Sequence, residues 1–490
     1  MNFSSFIDLR VVARRAMAEY GFWSEFPAPV AHEVADLKEK DPEAVPNGKV
    51  RDLRDLLWSS IDNVDSKDLD QLEFCERRQN REIHVMVAIA DVDGYVPKGC
   101  KTDDHARYNG TSVYTGVEVF PMLPDRLSAD LSSLVPDGER FAVIVEYFVL
   151  KDGSVRSGDV FQARVSNKAK LVYESVGEWL EGAGPVPELA KSIPGLEEQL
   201  LLQDEASQRL HEFRMGNGAL ELETIEVTPV MKGDEVADLV LKKKNPARLI
   251  VENFMVAANS TMVRFLEKHD CPYIQRIVRT PERWPRIRQI ALELGEELPA
   301  DPDSKALSDF LARQRHADLK HFPDLSLTIV KLIGAGEYVM AEPGRPKEGH
   351  FGLAVHDYTH STAPNRRYVD LIVQRLIKAV LSGENMPYTK TELAEIAGWC
   401  TDRDKSSKKV ERFMRKVAGA MLLRGKIGQE FDALVTGASD KGTYVRLLSP
   451  PVEGRVMRNE KGMEIGQSVR VKLIAMEPEK GYIDFEGVTV

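Results

Sequence analysis

The chain has 490 residues, of which 43% are hydrophobic and 29% charged, and its formal net charge is −11 at pH 7. This length exceeds what one hydrophobic core holds, so two to four domains are expected, and the composition is that of an ordinary globular protein. The negative charge excludes a protein coated with basic surface, although an acidic protein can still hold nucleic acid in a local basic groove.

The cysteines are few and widely separated, at Cys75, Cys100, Cys271 and Cys400. No two of them form a CxxC pair, so neither a zinc site nor a disulfide framework is expected, and a reducing cytoplasm fits this usage. The N-terminus lacks a basic-then-apolar signal pattern, and no apolar run has the length needed to span a bilayer. These features predict a cytoplasmic protein that does not associate with membranes.

Residues 1–48 are predicted to form a small helical N-terminal domain. Apolar residues recur at helical spacing between positions 7 and 17, a Pro-rich turn follows at 26–29, and a second short helix reaches to about 39. A polar stretch with two prolines at 38–47 is typical of a linker. Two short helices are compatible with a helix-turn-helix element and with a plain structural cap, and we favour the cap.

Residues 49–425 are predicted to form an α/β (α+β) domain. Runs of β-branched and aromatic residues at 82–92 and 140–150 predict strands, and the segment 95–137, rich in Gly, Pro, Ser and Asp, predicts a long irregular region. Apolar periodicity predicts helices in the second half of this domain, at 175–210, 249–266, 281–294, 304–319, 365–381 and 389–423.

Residues 426–490 are predicted to form a separate all-β domain. Five short strands punctuated by glycines fall within this segment. That spacing is typical of an OB-fold barrel, a fold that often binds single-stranded nucleic acid, although a generic β-barrel without a nucleic-acid role has the same pattern.

An acidic stretch at 61–71, IDNVDSKDLDQ, is the first candidate site. It brings Asp62, Asp65, Asp68 and Asp70 close together in sequence, and their carboxylates repel one another unless a positive charge lies among them. A hard cation that prefers oxygen ligands, such as Mg²⁺, would supply that charge. The simpler alternative is an acidic, solvated loop.

A second candidate is HSTAPNRRYVD at 360–370, where Arg366 and Arg367 follow a proline and are predicted to open a helix. A helix N-terminus beside arginines is a good anion site, because free backbone N–H groups and guanidinium donors point the same way. Alternatively, both arginines form surface ion pairs.

Two further stretches carry features suited to RNA. Between 403 and 426 the chain is strongly basic, which indicates either a solvated helix face or a wall that follows phosphates, and Glu411 is an unusual acidic residue inside this run. Tyr108 and Tyr114 lie in the irregular segment and could stack on bases, although most tyrosines are simply packed.

Together, and in this order, these features resemble the ribonuclease II family of exoribonucleases built on the RNB catalytic domain. The resemblance covers residues 50–490 and includes HVMVAIADVDGYV, GTSVYTGVEVFPMLPDRLSADLSSL, LIVENFMVAAN and HFGLAVHDYTHSTAPNRRYVDLIVQRL. The segment EFDALVTGASDKGTYVRLLSPPVEGRV resembles the S1-type OB fold that this family carries at its C-terminus. The implied fold is an RNB catalytic domain at 49–425, followed by an S1-type barrel at 426–490.

The resemblance implies a processive 3′→5′ hydrolytic exoribonuclease that uses one or two Mg²⁺ ions, for which Mn²⁺ can substitute, and that acts as a monomer on single-stranded or 3′-tailed RNA. By position, Asp62, Asp68 and Asp70 match three catalytic, metal-binding aspartates. Tyr114 matches a base-stacking tyrosine, and Arg366 an arginine at the scissile phosphate. Two residues match or adjoin further substrate contacts: Glu411, which would hold the 3′-terminal nucleotide, and Arg367, which lies next to Arg366.

Two departures from the family pattern matter. Gln71 stands where the pattern has a fourth aspartate; its amide oxygen can coordinate a cation but carries no charge, so one metal should bind more weakly. Asp65 or Glu73 could compensate, although neither is at the family position. Residues 1–48 are also too few for the cold-shock domains that the family places before its catalytic domain, so the entrance to the RNA channel should be built differently.

Two alternatives to the exoribonuclease remain. One is an RNA-binding protein of the same fold with weakened catalysis, for which Gln71 would be the first sign. The other is a nuclease specific for DNA, which a DNA oligomer in the same assay would reveal.

Overall fold

The computed structural model describes residues 7–39, 50–136, 138–223, 227–232, 235–241, 244–319, 321–439, 442–464 and 466–488. Most of the predicted linker at 38–47 lies outside the described residues. None of the helices within the described ranges is both long and apolar enough to cross a membrane.

The centre of the molecule is a seven-stranded mixed sheet built from the first third of the chain. The elements of this part are, in chain order, α1 (Leu9–Glu19), α2 (Ala28–Ala35), β1 (Arg51–Asp52), β2 (Ser59–Asp62), β3 (Gln71–Arg77), β4 (Ile83–Ala90), α3 (Lys101–Asn109), β5 (Val113–Tyr114), β6 (Val119–Phe120), β7 (Glu139–Val149), β8 (Val155–Ser166) and β9 (Ala169–Val172). The strand order is β1-β8-β7-β4-β3-β2-β9, and among the described pairings of this sheet β1–β8 and β2–β9 are parallel while the others are antiparallel. Every residue of β4 is buried, because the sheet is covered on both faces, and this explains the unbroken apolar run in the sequence.

The segment between β4 and β7 was predicted to be irregular throughout, and that prediction is wrong for α3. This helix is polar, KTDDHARYN, so the sequence has no apolar periodicity there. It begins after Cys100, whose sulfur accepts a hydrogen bond from the backbone of Asp103, and it ends at Gly110 with φ of 70°. The remainder holds the β5–β6 hairpin and a short π-helical turn at Arg126–Leu131.

The middle of the chain packs helices against this sheet. Its elements are α4 (Tyr173–Leu180), α5 (Glu188–Ser192), α6 (Leu196–Gly216), β10 (Val227–Lys232), β11 (Glu235–Leu241), α7 (Pro246–Lys268), β12 (Tyr273–Ile277), α8 (Trp284–Glu293), α9 (Ser304–Ala317), α10 (Phe322–Ile333), β13 (Glu337–Ala341) and α11 (Tyr368–Ser382). The predicted helices in this region are confirmed. The pairs β10–β11 and β12–β13 were not predicted; β12 and β13 are short, and their paired residues are 60 to 68 positions apart in sequence, which no local pattern reveals.

The last part of the chain is a long helix followed by a barrel. It consists of α12 (Lys390–Leu422), β14 (Glu430–Ser439), β15 (Gly442–Leu447), β16 (Glu453–Arg458), β17 (Ser468–Glu477) and β18 (Tyr482–Gly487). A capping box of Thr389 and Glu392 starts α12. The five strands close in the order β14-β15-β16-β18-β17, which confirms the predicted barrel.

The N-terminal helices pack on the rest of the chain. Leu9, Val12 and Met17 of α1 share one core with Val410 and Met414 of α12. In α2, Val30 and Val34 belong to the main core around the sheet. The segment therefore packs as a structural cap does, with its apolar residues buried against the RNB-like domain rather than in a core of their own.

Candidate active site

The acidic stretch lies in an extended loop between β2 and β3, and the fold holds its backbone in place. The backbone N–H of Leu69 donates to Oγ of Ser133 (2.9 Å), and Ser133 in turn donates to the carbonyl of Lys67 (2.7 Å). The carbonyl of Leu69 accepts from the backbone of Leu134 (3.0 Å). Side chains two positions apart in an extended chain leave it on the same side, so Asp68 and Asp70 face the same way, and the charge of Asp68 acts on Asp70.

Asp70 is the best anchored of these carboxylates. It is 2% exposed, its Oδ1 accepts from the backbone N–H of Asn365 (3.1 Å), and its Oδ2 accepts from Nε of Arg366 (3.0 Å). The acidic stretch and the arginine stretch, which are far apart in sequence, therefore form one site.

The charges in this site are strongly coupled. Burial raises the pKa of Asp70 to about 7, with Arg366 acting against the shift and Asp68 adding to it. Burial also raises the pKa of Asp68, and the charge of Asp62 contributes in the same direction. Asp62 is held locally, since its Oδ1 accepts from the backbone of Asn63 (2.7 Å) and from Oγ of Ser66 (2.9 Å). The negative charge gathered here exceeds what Arg366 alone neutralises.

Two further residues of β3 adjoin these aspartates. Gln71 opens the strand and is 8% exposed, while Glu73 is fully buried. Burial and the neighbouring charge of Asp62 raise the pKa of Glu73 to about 8. Asp65, the other acidic residue of the loop, is exposed.

Tyr114 is brought to the site by backbone pairing between two distant segments. The N–H of Ser112 donates to the carbonyl of Arg366 (2.9 Å), and the N–H of Tyr368 donates to the carbonyl of Gly110 (3.0 Å). Tyr114 is 41% exposed, yet burial raises the pKa of its hydroxyl, with Asp68 among the charges that add to the shift. An exposed ring beside the acidic loop suits the predicted stacking on a base.

Glu411 lies directly behind Tyr114. Burial raises the pKa of its carboxyl group, against the lowering effects of Arg415 and of the backbone N–H of Tyr114. The structure therefore places Glu411 of α12 near Tyr114, and its role in holding the 3′-terminal nucleotide stays a prediction.

Arg367 differs from its neighbour Arg366. Its Nε and Nη2 donate to the two carboxylate oxygens of Asp370 (2.9 and 2.7 Å), and Asp370 is fully buried. The prediction that both arginines open a helix is wrong by two residues, because α11 begins at Tyr368 and Arg367 is its N-cap. Two backbone N–H groups before the helix donate to carboxylates instead: that of Asn365 to Asp70 and that of Ala363 to Asp370.

The basic stretch is mostly helical, but Arg424 and Lys426 lie beyond the end of α12. On one side of the helix, about two turns before Glu411, Asp404 accepts from Arg276 and from Lys408 (both 3.0 Å). Tyr108 stacks on Trp23 with ring centroids 3.9 Å apart, and Trp399 also contacts it, with ring centroids 6.1 Å apart. Of the two candidate tyrosines, only Tyr114 has the geometry for stacking on a base at this site.

The donors in the site suit Mg²⁺, although they are not arranged as a preformed cage. Within the ranges that the structure describes, no three His, Cys, Asp or Glu side chains converge as a metal cluster. The oxygens of Asp62, Asp68 and Asp70 are nevertheless the hard ligands that Mg²⁺ prefers, and their mutual repulsion is what a cation relieves. The assignment of Asp62, Asp68, Asp70 and Gln71 as metal ligands stays a prediction.

Three residues that hold the site in place were not predicted from the sequence. Asn365 and Ser133 position the acidic loop, and Asp370 holds Arg367. Asn and Ser beside a turn carry no distinctive signal. Asp370 was visible in the sequence three residues after Arg367, a spacing that places side chains together on a helix.

The comparisons with known proteins agree with this geometry. An RNB domain model matches residues 50–383, and a model of the RNase II-type exonuclease C-terminal S1 domain matches residues 429–488. Ribonuclease R of Aquifex aeolicus is 28% identical over 513 residues, covering 98% of this chain and 70% of that protein. Ribonuclease R of Escherichia coli is 28% identical over 501 residues, covering 94% of this chain and 60% of that protein. The chain thus spans between 60% and 70% of the length of these two relatives.

Solved structures share the fold at lower identity. Mycoplasma genitalium RNase R in complex with ribose methylated single-stranded RNA matches with a TM-score of 0.87 and 21% identity, covering 98% of this chain and 78% of that chain. Yeast Ssd1, a pseudonuclease, matches with a TM-score of 0.69 and 17% identity, covering 91% of this chain and 55% of that chain. Since the RNB model covers more than half of the sequence and the closed barrel coincides with the S1 match, this chain belongs to the ribonuclease II family of RNB-domain proteins.

Proposed function

We propose that this chain is a processive 3′→5′ exoribonuclease that acts as a monomer on single-stranded or 3′-tailed RNA. In each cycle a water oxygen bonds to the phosphorus of the last phosphodiester and the bond from phosphorus to the 3′ oxygen breaks. The products are one nucleoside 5′-monophosphate and an RNA shortened by one residue with a free 3′-hydroxyl.

The observation that carries this proposal is the Asp70–Arg366 pair beside Tyr114. The carboxylate of Asp70, the guanidinium of Arg366 and the exposed ring of Tyr114 lie at one site. Hydrolysis of a phosphodiester at the end of an RNA needs these three functions: stabilisation of charge, contact with the phosphate and a stop for the terminal base.

Arg366 stabilises charge on the phosphate in this proposal. Asp70 holds its Nε, which fixes the plane of the guanidinium, while 41% of the side chain stays exposed. Arginine suits this position because its planar donors match phosphate oxygens and its charge persists at any working pH. Electrostatic stabilisation of this kind depends on donors being in place before the reaction.

Tyr114 and Glu411 define where the RNA ends. The ring stacks on a base near the 3′ end, and Glu411, which supports the backbone of Tyr114, accepts hydrogen bonds from hydroxyl groups of the terminal nucleotide. Contacts of this kind to the 2′-hydroxyl would give a preference for RNA over DNA.

Asp62, Asp68, Asp70 and Gln71 would hold Mg²⁺ or Mn²⁺. When bound, the cation lowers the pKa of a coordinated water and neutralises charge on the phosphate. The carboxylates repel an RNA phosphate from the buried side of Arg366. The phosphate would therefore contact the solvent-exposed part of the Arg366 side chain.

The basic residues of α12 and the barrel provide a path for the RNA. The exposed side chains on this helix include Lys405, Lys409 and Arg412, and α12 runs on toward the closed barrel. Basic surface attracts the phosphate backbone irrespective of sequence, and OB-type barrels bind single strands. Homologous RNase R structures described as complexes with single-stranded and double-stranded RNA support an RNA substrate.

A catalytically weakened RNA-binding protein is the second candidate, and Gln71 is the observation that favours it. A neutral amide replaces a charge at the centre of the site, and the yeast Ssd1 pseudonuclease has the same overall fold. The intact Asp70–Arg366 pair favours the enzyme.

A single assay separates the two candidates. Pure protein is incubated with Mg²⁺ or Mn²⁺ and an RNA that is labelled along its length and carries a 3′ tail, with single-stranded, blunt and DNA oligomers alongside. Release of mononucleotides from the tailed and single-stranded RNA supports the proposal. A stable complex with intact RNA would favour the binding protein, and digestion of the DNA would contradict the RNA preference.

A further inference from the structure

We propose that Arg14 is a positioning residue for Tyr114. Through an ion pair with Glu118, it holds the β5–β6 hairpin in the place where Tyr114 presents its ring. The inference rests on the proposed function for the role of that ring, and it gives the N-terminal segment a part in holding the 3′ end of the RNA. Arg14 itself makes no contact with the RNA in this proposal.

The β5–β6 hairpin is too small to be stable by itself. Each strand has two residues, and even a longer isolated hairpin is only marginally stable in water. Val113 pairs with Phe120, and Tyr114 pairs with Val119. Because successive side chains point to opposite faces, the first pair is buried on one face, while Tyr114 and Val119 are 41% and 52% exposed on the other. The hairpin therefore depends on what its buried face packs against.

The buried face of the hairpin packs in a core that α1 helps to form. Val113 of the hairpin shares this core with Val12 of α1 and Val410 of α12. Val113 directly precedes Tyr114, and Val410 directly precedes Glu411. The core that includes α1 therefore supports both residues that are proposed to hold the 3′ end of the RNA.

An ion pair adds a polar attachment at the turn of the hairpin. Nη2 of Arg14 lies 3.2 Å from Oε1 of Glu118, across 104 positions of sequence. The carbonyl of Glu118 accepts from the backbone N–H (3.2 Å) and from Oγ1 (2.6 Å) of Thr115, the residue that follows Tyr114. A displacement of Glu118 would therefore displace the residue next to Tyr114.

The carboxylate of Glu118 needs this partner. Its side chain is 26% exposed, and its Oε2 is buried with no hydrogen-bond partner among the described residues. Ion pairs between fully exposed side chains contribute little to stability, but a carboxylate that water reaches poorly loses more when its partner is removed. Without Arg14, Glu118 would be better solvated outside its present position, and the short hairpin would move with it.

The helix that carries Arg14 is fixed on two further sides. Val12 and Met17 of α1 pack in the core that includes α12. Next to Arg14, Nη2 of Arg15 donates to the carbonyl of Glu479 (2.6 Å), in the turn that precedes β18 of the barrel. The helix α1 is therefore a fixed support from which Arg14 reaches the hairpin.

The first test measures backbone hydrogen exchange at residues 112–120 in the full chain without RNA. Arg14 is 49% exposed, so Arg14→Gln should fold, and we expect about 3- to 10-fold faster exchange in this segment. Adding Glu118→Gln removes the unpaired carboxylate and should restore most of the protection. Arg14→Lys keeps the charge, and its exchange should stay within about two-fold of the parent.

Two control variants remove a neighbouring charge without breaking the pair of Arg14 and Glu118. Arg10→Gln changes an exposed arginine one turn earlier on α1. Glu25→Gln removes the other carboxylate near Arg14, which lies at 3.2 Å and is 77% exposed. Exchange at residues 112–120 should equal that of the parent in both variants.

The second test measures affinity for a short single-stranded RNA by fluorescence anisotropy, without divalent cations so that the RNA stays intact. Arg14→Gln should weaken binding about 3- to 10-fold, which is less than the effect of Tyr114→Ala. In the Tyr114→Ala background, Arg14→Gln should cause no further loss. The slope of log affinity against log salt should stay unchanged, whereas loss of a direct phosphate contact would reduce it by about 0.7 to 0.9.

Parental exchange at residues 112–120 in Arg14→Gln would overturn the inference. A loss of RNA affinity that persists in the Tyr114→Ala background, or that lowers the salt slope, would also overturn it and would assign Arg14 to the RNA path. The exchange measurement contains no RNA, so the proposed function can fail separately. Faster exchange, restored by Glu118→Gln, in a protein whose RNA affinity is unaffected by Tyr114→Ala would support the inference and contradict the stacking role of Tyr114.

Discussion

Nε of Arg366 lies 3.0 Å from Oδ2 of Asp70, and 296 positions of sequence separate the two residues. The carboxylate is 2% exposed and the guanidinium 41% exposed, so the pair has a buried end and an open end. The pair joins the acidic loop to the segment that precedes α11, and the carbonyl of Arg366 in turn anchors the segment that leads to Tyr114. Catalysis should therefore depend on both residues at once.

Replacing Asp70 by Asn should abolish hydrolysis and leave RNA binding nearly unchanged. The substitution removes a charge from the cation site and loosens Arg366, so the rate should fall by at least about 100-fold. Mononucleotide release from labelled RNA measures the rate, and fluorescence anisotropy of the same RNA measures binding.

Asp65→Asn is the matched control for that experiment, since it removes a charge from an exposed position of the same loop. It should degrade RNA at the parental rate. Hydrolysis at the parental rate by the Asp70→Asn variant would show that the assignment of the cation site is wrong.

Replacing Tyr114 by Ala should weaken the hold on the 3′ end of the RNA. Stacking of a base on an aromatic ring contributes about 1–3 kcal/mol, so affinity for short oligomers should fall by roughly 5- to 150-fold. Tyr114→Phe keeps the ring and should bind like the parent. Competition between labelled and unlabelled oligomers gives the affinities, and equal affinity of the Ala and parent proteins would exclude a stacking role.

Replacing Arg367 by Gln should lower stability. It leaves the fully buried Asp370 without its ion-pair partner, which costs about 3–5 kcal/mol. Urea unfolding followed by circular dichroism measures the free energy of unfolding. The double variant Arg367→Gln, Asp370→Asn removes both charges and should recover most of the loss.

The free energy of unfolding, combined with the RNA affinity of the same variant, decides whether Arg367 also binds substrate. Normal stability combined with weak RNA binding in Arg367→Gln would assign it to the substrate site rather than to the support of α11. The variant Arg366→Gln offers a comparison, because it removes the charge from the more exposed of the two neighbours.

Acid should loosen the docking of the N-terminal segment through His105. Burial lowers the pKa of His105 from 6.5 to about 4. Its Nε2 lies 3.3 Å from the amide nitrogen of Asn109, which suits a neutral ring that accepts a hydrogen bond, and its ring contacts Trp23 and Phe26. The folded state therefore binds fewer protons than the unfolded state between these two pKa values, so stability is complete above 6.5 and is lost as the pH falls toward 4.

At pH 5 the loss from this one group should be about 2 kcal/mol. Fluorescence of Trp23 and limited proteolysis near the linker, each followed from pH 8 to pH 5, report the docking. His105→Phe keeps an aromatic ring against Trp23 and should remove this pH dependence. A pH response of the same size in that variant would show that another group is responsible.

Local patterns in the sequence predicted the parts of this protein that depend on local interactions. The spacing of glycines and β-branched residues predicted the barrel, apolar periodicity predicted α7 and α12, and the sequence of the acidic stretch indicated a cation site. The polar helix α3 was missed because contacts with distant residues stabilise it, such as the hydrogen bond between Tyr368 and Asp103.

The amino-acid sequence by itself determined which residue types are available: the aspartates at 62, 68 and 70, the neutral Gln71 and the arginines that follow Pro364. Only the tertiary structure decided how they are used. Arg366 faces Asp70 while Arg367 turns to Asp370, and Glu73 is buried without a partner in the described structure. These two adjacent arginines have different partners because tertiary contacts set the direction and burial of each side chain. The elements in contact are hundreds of residues apart in sequence, so no local pattern encodes those contacts.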